Sequence, residues 1–310
     1  MVTLRPVTED LASLLAAGER ATFHGPPAAA VADLERAVVI AQREGRRAEV
    51  TAAAWLLGVA LSAAGRYGGA LRVLGPLVDA GAAADASAET KLFAAFAAAS
   101  SASVQRSLGR HEEAQRLDER GRVLADGHAE AVFDCVLGLA SDSVGLGDLD
   151  ASRRWLAEAE ELAAAHDASW WRQRVRLGWT RAEVALLADD PAEAVAAAAA
   201  SVEEAERSRA ARHVAKGLLF QGVAELSAGN PQAPTTLRRA ATLAEGLSAL
   251  PVAWQARALM GALVSGSDPE ESARSLAAAR KAVLAIAGDL PPELRDDWLA
   301  RPNVSALLEG

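Results

Sequence analysis

The chain has 310 residues, of which 51% are hydrophobic, 24% charged and 4% aromatic, with a formal net charge of −9. That apolar content with modest net charge excludes a disordered chain, and the acidic balance is the wrong sign for a dedicated nucleic-acid binder. Roughly a quarter of the residues are alanine, and Ile occurs only at Ile40 and Ile286, which excludes a sheet-built protein because strands want β-branched and aromatic side chains.

Ala, Leu, Arg and Glu favour helix, so the composition predicts an all-α protein. No run of eighteen uncharged apolar residues is present to span a membrane. The opening stretch MVTLRPVTED is charged where a signal peptide needs its apolar segment, so a cytoplasmic location is expected. A single cysteine, Cys135, excludes an internal disulfide framework and reads as a buried, inert thiol.

In chain order, seven helical hairpins are predicted near 8–44, 46–80, 87–127, 128–166, 169–210, 211–248 and 251–288. Their turn residues are Gly25, Gly65, Gly109, Gly147, Asp189, Gly229 and Asp268, spaced by 40, 44, 38, 42, 40 and 39 residues. Gly and Asp are residues that end helices and make tight connections. Seven residues before each turn stand Gly18, Gly58, Ala102, Ala140, Ala182, Gly222 and Gly261. Five residues after each stand Ala30, Ala70, Ala114, Ser152, Ala194, Pro234 and Ala273. Small side chains let paired helices approach to about 8–10 Å. A hairpin alone cannot bury its apolar face, so the next one covers it.

Leu34, Leu74 and Leu156 are expected to fill the gaps between successive repeats. Asp118 and Arg238 interrupt that column; a small rotation would bring in Leu117 for the first. Pro231 and Pro234 should delay the second helix of the sixth hairpin, with Ala233, Leu237 and Ala240 restoring the pattern one residue early. The stretch DAGAAADASA at 79–88 reads as a loop or a frayed helix start. At the C-terminus, Pro291 and Pro292 start a helix whose Leu294, Trp298 and Leu299 would cover the last hairpin.

Three segments resemble the tetratricopeptide repeat (TPR) family: Trp55 to Leu74, Leu108 to Ala114, and Leu146 to Leu156, with Gly65, Gly109 and Gly147 at their turns. The family's repeats have 34 residues. The longer period here is similar to arrays attached to large bacterial signalling ATPases, kinases and transcription regulators. The family's usual proline near the end of each repeat is mostly missing. The resemblance implies a right-handed TPR-like superhelix of about seven hairpins over residues 1–289, closed by a capping helix at 290–310 of the same domain. It implies binding of a protein or peptide rather than catalysis, without nucleic acid or membrane.

No chemistry-bearing motif competes with that reading. The sequence has no GxxxxGK[ST] loop and no HExxH, and Gly145-Leu146-Gly147 is a lone GxG read as the fourth turn. His24, His111, His128, His166 and His213 are scattered without metal spacing and are expected at helix ends or facing solvent. Asp142, Asp148 and Asp150 lack the calcium-loop pattern. No cofactor is expected. Both ends of the chain are taken up by the array, so no room is expected for a DNA-binding domain beside it. The basic stretch Trp170 to Arg176 reads as the exposed face of one helix.

In a TPR array the first helix of each pair lines the concave face. By position, the resemblance places Trp55, Phe96, Trp179 and Phe220 inward, with Arg106, Asp134, Ser141, Arg176, Glu183 and Lys216. Trp179 with Glu183, and Arg176 with Thr180 and Glu183, share one helix face. Aromatic anchors beside Arg suit peptide recognition, while the same aromatics would serve equally as core and the same cations as solvated charges. The family's clamp for two carboxylates needs an Asn that Asn230 and Asn303 are not placed to supply, so that ligand is not expected. The leading reading is an interaction scaffold with a groove for a peptide or partner segment. The alternative is a sensor that changes superhelix shape on binding a peptide or small ligand and acts through a partner.

Overall fold

The computed structural model describes residues 10–309. The opening stretch through residue 9, read above as too charged for a signal peptide, lies outside the described residues. Among the described residues there is no strand, and no helix is long and apolar enough to cross a membrane.

The chain folds as seven antiparallel hairpins. They are α1 (Leu11–His24) with α2 (Pro27–Arg43), α3 (Arg47–Ala63) with α4 (Tyr67–Gly81), and α5 (Ala88–Ser107) with α6 (His111–Leu124). Next come α7 (Ala129–Gly145) with α8 (Leu149–Ala164), and α9 (Trp171–Leu187) with α10 (Pro191–Arg207). The last two are α11 (Ala211–Ser227) with α12 (Ala233–Gly246), and α13 (Leu250–Val264) with α14 (Pro269–Asp289). Each helix packs chiefly on its neighbours in sequence, as stacked hairpins must.

Five of the seven expected turn residues take the left-handed backbone that a tight connection requires: Gly65 at φ 82°, Gly109 at 72°, Gly147 at 75°, Asp189 at 58° and Gly229 at 66°. Gly25 and Asp268 do not. Asp268 is itself the N-cap of α14, its carboxylate accepting from the Glu271 N–H at 2.9 Å. The other Asp caps, Asp148 and Asp190, stand one residue beyond their turns. The seventh hairpin therefore runs one residue early, burying Ser272 and leaving Ala273 exposed. The sixth does likewise: α12 begins at Ala233, with Leu237 and Ala240 fully buried, as expected. The stretch 79–88 completes α4 and then forms a loop that ends at Ser87, the N-cap of α5.

The leucine column works differently from the expectation. Leu34 sits on Gly18, Leu74 on Gly58, Leu237 on Gly222 and Leu276 on Gly261, each inside its own hairpin. A Cβ added to Gly58 would stand 2.4 Å from Leu74 Cδ2. The small residue on the first helix thus receives a large one from the second, interlocking the pair at its crossing. In the third hairpin Leu117 does not rotate in. Asp118 itself is fully buried there, for an electrostatic reason given below.

The capping element is two short helices, α15 (Pro292–Leu299) and α16 (Pro302–Glu309), rather than one. Pro302 lacks an N–H for the preceding turn and opens a new helix instead. Trp298 is buried as expected, but it covers more than the last hairpin. One continuous apolar cluster joins Leu57, Tyr67 and Leu74 of the second hairpin to Trp254, Ile286, Trp298, Val304 and Leu307. The Gly65 turn lies against Ile286 and Leu250, and the Gly109 turn against the Arg301 guanidinium. Asp289, at the C-terminal end of α14, accepts a hydrogen bond from the Gly69 N–H in the first turn of α4 at 2.9 Å. It caps a helix 220 residues away in sequence. At the other end, α1 packs on α11. The superhelix comes back over its own start after five hairpins, the first meeting the sixth and the second meeting the seventh.

Candidate functional site

Closure narrows the expected open groove into a partly enclosed cavity of about 570 Å³. The first helices α3, α5, α7, α9, α11 and α13 wall it, α1 contributes Phe23, and the cap contributes Trp298, Arg301 and Asn303. Asn303, expected away from the groove, faces it because the cap folds back over the opening. Of the ten residues expected inward, nine line the cavity: Trp55, Arg106, Asp134, Ser141, Arg176, Trp179, Glu183, Lys216 and Phe220. Phe96 does not. It packs at 5.1 Å from Trp55 and edge-on to His128 at 5.9 Å, between two hairpins.

Ring contacts hold the aromatic wall in place. Trp179 stacks on Phe220 at 5.9 Å and on His213 at 5.6 Å, and Lys216 Nζ lies 4.7 Å from the Trp179 ring centroid. Trp55 Nε1 donates to Ser100 Oγ at 3.2 Å. Between α7 and α9, Ser141 Oγ donates to Glu183 Oε2 at 3.0 Å and lies 3.1 Å from Thr180 Oγ1.

Arg106 is committed to the protein. Its Nε donates to Asp142 Oδ1 at 2.7 Å and its Nη2 to Asp118 Oδ2 at 2.7 Å, with both carboxylates almost wholly out of solvent. Burial by itself would disfavour the guanidinium charge, but Asp142 and Asp118 hold Arg106 above its ordinary value. Burial drives the Asp118 carboxyl well above the carboxylate range; Arg106 opposes that and Asp142 adds to it. This ion cluster is why a charged residue occupies the leucine column. Gly138 on α7 makes the room, since a Cβ there would fall 2.0 Å from Asp118 Oδ2.

The basic stretch at 170–176 is not a solvated face. Arg172 and Arg176 point into the cavity and share Asp134, Arg172 at 3.5 Å. Arg174, on the other side of α9, bonds the Asp167 carbonyl at 2.6 Å and reaches Glu204 at 3.4 Å. Sequence reasoning missed Arg172, Arg212 and His213 as cavity residues. The signal was present: residues 172 and 212, and 176 and 216, are one 40-residue period apart. His213, expected near solvent, is 2% exposed, and burial with Arg212, Arg172 and Arg176 nearby keeps its imidazole neutral, well below its usual value. Among the described residues no group of three or more His, Cys, Asp or Glu is placed to hold a metal ion. Cys135 is a fully buried thiol, and burial raises it well above its ordinary value.

Burial pushes the Lys216 ammonium down to about 8; Glu183 opposes the shift and Arg212, Arg176 and Arg106 reinforce it. A lysine lowered in the folded state binds fewer protons there than when unfolded. Folding is therefore penalised by the Lys216 charge at pH 7, and the penalty lifts as pH rises from 8 toward 10.5. Wild type should gain on the order of 2 kcal/mol relative to Lys216→Met across that window. Urea unfolding of both proteins at the two ends of the window measures it, and a constant difference would show that Lys216 is not desolvated.

With this geometry in view, the likeness to known proteins can be placed. A Rap protein, in its crystal structure complexed with competence and sporulation factor, superimposes with a TM-score of 0.65 over 97% of this chain and 86% of that one, at 11% identity. The likeness is one of fold. The described chain is a TPR-like helical superhelix built of consecutive hairpins. No family model matches the sequence, and no curated protein matches it either.

Proposed function

We propose that this protein is a non-catalytic interaction protein, a long-period tetratricopeptide-type array, that takes a short peptide into the cavity inside its closed superhelix. One observation carries the reading: a partly enclosed cavity of about 570 Å³ with aromatic walls and a few fixed charges, narrowed by contacts between hairpins five apart. That volume lies in the ordinary range for ligand sites, about 300–1,000 Å³, and apolar walls with a few convergent polar groups are their usual make-up. The Rap structure complexed with competence and sporulation factor supports the reading at the level of fold. Closure favours a short peptide over a long partner segment, because the sixth and seventh hairpins meet the first and second and shorten the trough that an open array would offer. The same closure supports the sensor reading: a ligand touching both ends of the superhelix changes the stability of their contact, and a partner reads the change.

The test is incubation with a random-sequence pentapeptide library, with retained peptides read by native mass spectrometry. A subset should be enriched. Ala99→Trp, which places an indole in the cavity from α5, should reduce that enrichment at least tenfold. Absence of any enriched peptide, or equal retention by Ala99→Trp, would overturn the proposal.

A further inference from the structure

The cavity wall carries a two-by-two array of cations. Arg172 and Arg176 lie one turn apart on α9, and Arg212 and Lys216 lie one turn apart on α11, in the same two columns of the repeat. The equivalent positions one repeat earlier, on α7, are Glu130 and Asp134. The α7 pair neutralises its neighbour: Asp134 is shared by Arg172 and Arg176, and Glu130 adds to its field at Arg172. The α11 pair has no such layer beside it. Among the described residues Arg212 forms no ion pair; its Nε donates to the Thr22 main-chain carbonyl at 3.2 Å. Among the described residues Lys216 makes no hydrogen bond or ion pair; it rests on the faces of Trp179 and Phe220, while Glu183 supplies the opposing field. Burial, with Arg172 and Arg176 nearby, pulls the Arg212 guanidinium down to about 10, so the cluster repels itself. Between these two cations in sequence, His213 is 2% exposed and its Nδ1 has no partner within the protein.

A chain of net charge −9 thus holds inside its own cavity a positive site that Glu183 offsets only in part. Desolvated like charges cost stability unless something of opposite sign completes them. The Arg212 fork matches the geometry of a carboxylate, and the aromatic pair beside Lys216 offers an apolar surface next to it.

We propose that Arg212 and Lys216 bind a carboxylate of the peptide ligand, with an apolar side chain of that peptide against Trp179 and Phe220. This deepens the reading of the cavity as a peptide site and rests on it. The carboxylate comes either from the peptide's C-terminus or from an Asp or Glu side chain, and the two sources are separable.

The experiment uses three pentapeptide libraries on the full chain: free C-terminus without Asp or Glu, amidated C-terminus with Asp and Glu, and amidated without either. Wild type should enrich one of the first two at least tenfold over the third, and which one identifies the source. Lys216→Met keeps the aliphatic packing on Trp179 and should remove at least tenfold of that preference, whereas Lys216→Arg should retain it. Arg212→Gln should do the same as Lys216→Met. If it fails to fold, the wild-type preference and the Lys216 pair decide. Equal retention of all three libraries, or a preference unchanged in Lys216→Met, overturns the carboxylate site while leaving the peptide reading intact. No retention from any library overturns both.

Discussion

Trp298→Ala should destabilise the protein by about 3–5 kcal/mol and open the superhelix, the expected range for deleting a fully buried Trp. Trp298 is 2% exposed and sits edge-on to Trp254 at 6.3 Å. It belongs to the apolar cluster that joins the second hairpin to the seventh. In an ordinary solenoid a capping residue touches only the last repeat, and its loss frays one end. Here the ion pairs that remain across the seam involve exposed or half-exposed arginines, Arg110 with Asp297 at 3.0 Å and Arg66 with Asp289 at 3.8 Å, beside the Gly69 N–H bond to Asp289. Exposed pairs contribute about 0–1 kcal/mol each and cannot hold the closure alone. Small-angle scattering should therefore show a larger radius of gyration for the variant, along with a lower urea midpoint. A loss of stability with no change in radius would place Trp298 in the last hairpin only.

Arg106→Met should cost about 3–5 kcal/mol at pH 7, because it strands Asp118 and Asp142 as uncompensated buried carboxylates. Both acids are essentially free of solvent and meet the same guanidinium at 2.7 Å. Adding Asp118→Leu, which restores the leucine of the repeat column, should recover part of the loss. The pH dependence has a definite sign. A carboxyl whose folded value is raised, as burial raises Asp118, binds more protons folded than unfolded, so its contribution to stability is lost as pH climbs from the ordinary carboxylate value through the folded one. Removing Arg106 takes away the charge that opposes this rise. The deficit of Arg106→Met should accordingly shrink between pH 7 and pH 5 in urea melts. A deficit that is the same at both, or below about 1 kcal/mol, would show that the cluster is solvated.

Much of the fold was legible because it is built from local rules that recur. Turn residues such as Gly65, Gly147 and Asp189 fall where the spacing puts them, and their left-handed backbone explains the residue choice. Small residues at Gly18, Gly58 and Gly222 mark the helix crossings correctly, although the leucine partners come from the same hairpin rather than the next. The seventh hairpin slipped by one residue because Asp268 resembles a turn residue in sequence but acts as a cap. Nine of the ten expected inward residues line one cavity, since a repeat register carries the facing direction from hairpin to hairpin. Phe96 fell outside it, because one helix face holds both cavity and inter-hairpin positions and an aromatic suits either. Arg106 reads in sequence as a charge offered to a ligand. Its two buried carboxylates stand 12 and 36 residues further on, and no local pattern links three such positions.

The sequence by itself determined the helical content and the hairpin period, which depend on residues within one or two turns of each other; which helix of each pair faces inward came from the resemblance to TPR arrays. The tertiary structure alone decided that the array closes, that Arg106 is spent on Asp118 and Asp142, and that among the described residues no carboxylate bonds Arg212 or Lys216. Closure depends on a small rotation per hairpin accumulating over five of them. That angle is set by side-chain packing at every crossing, and no single repeat displays the sum.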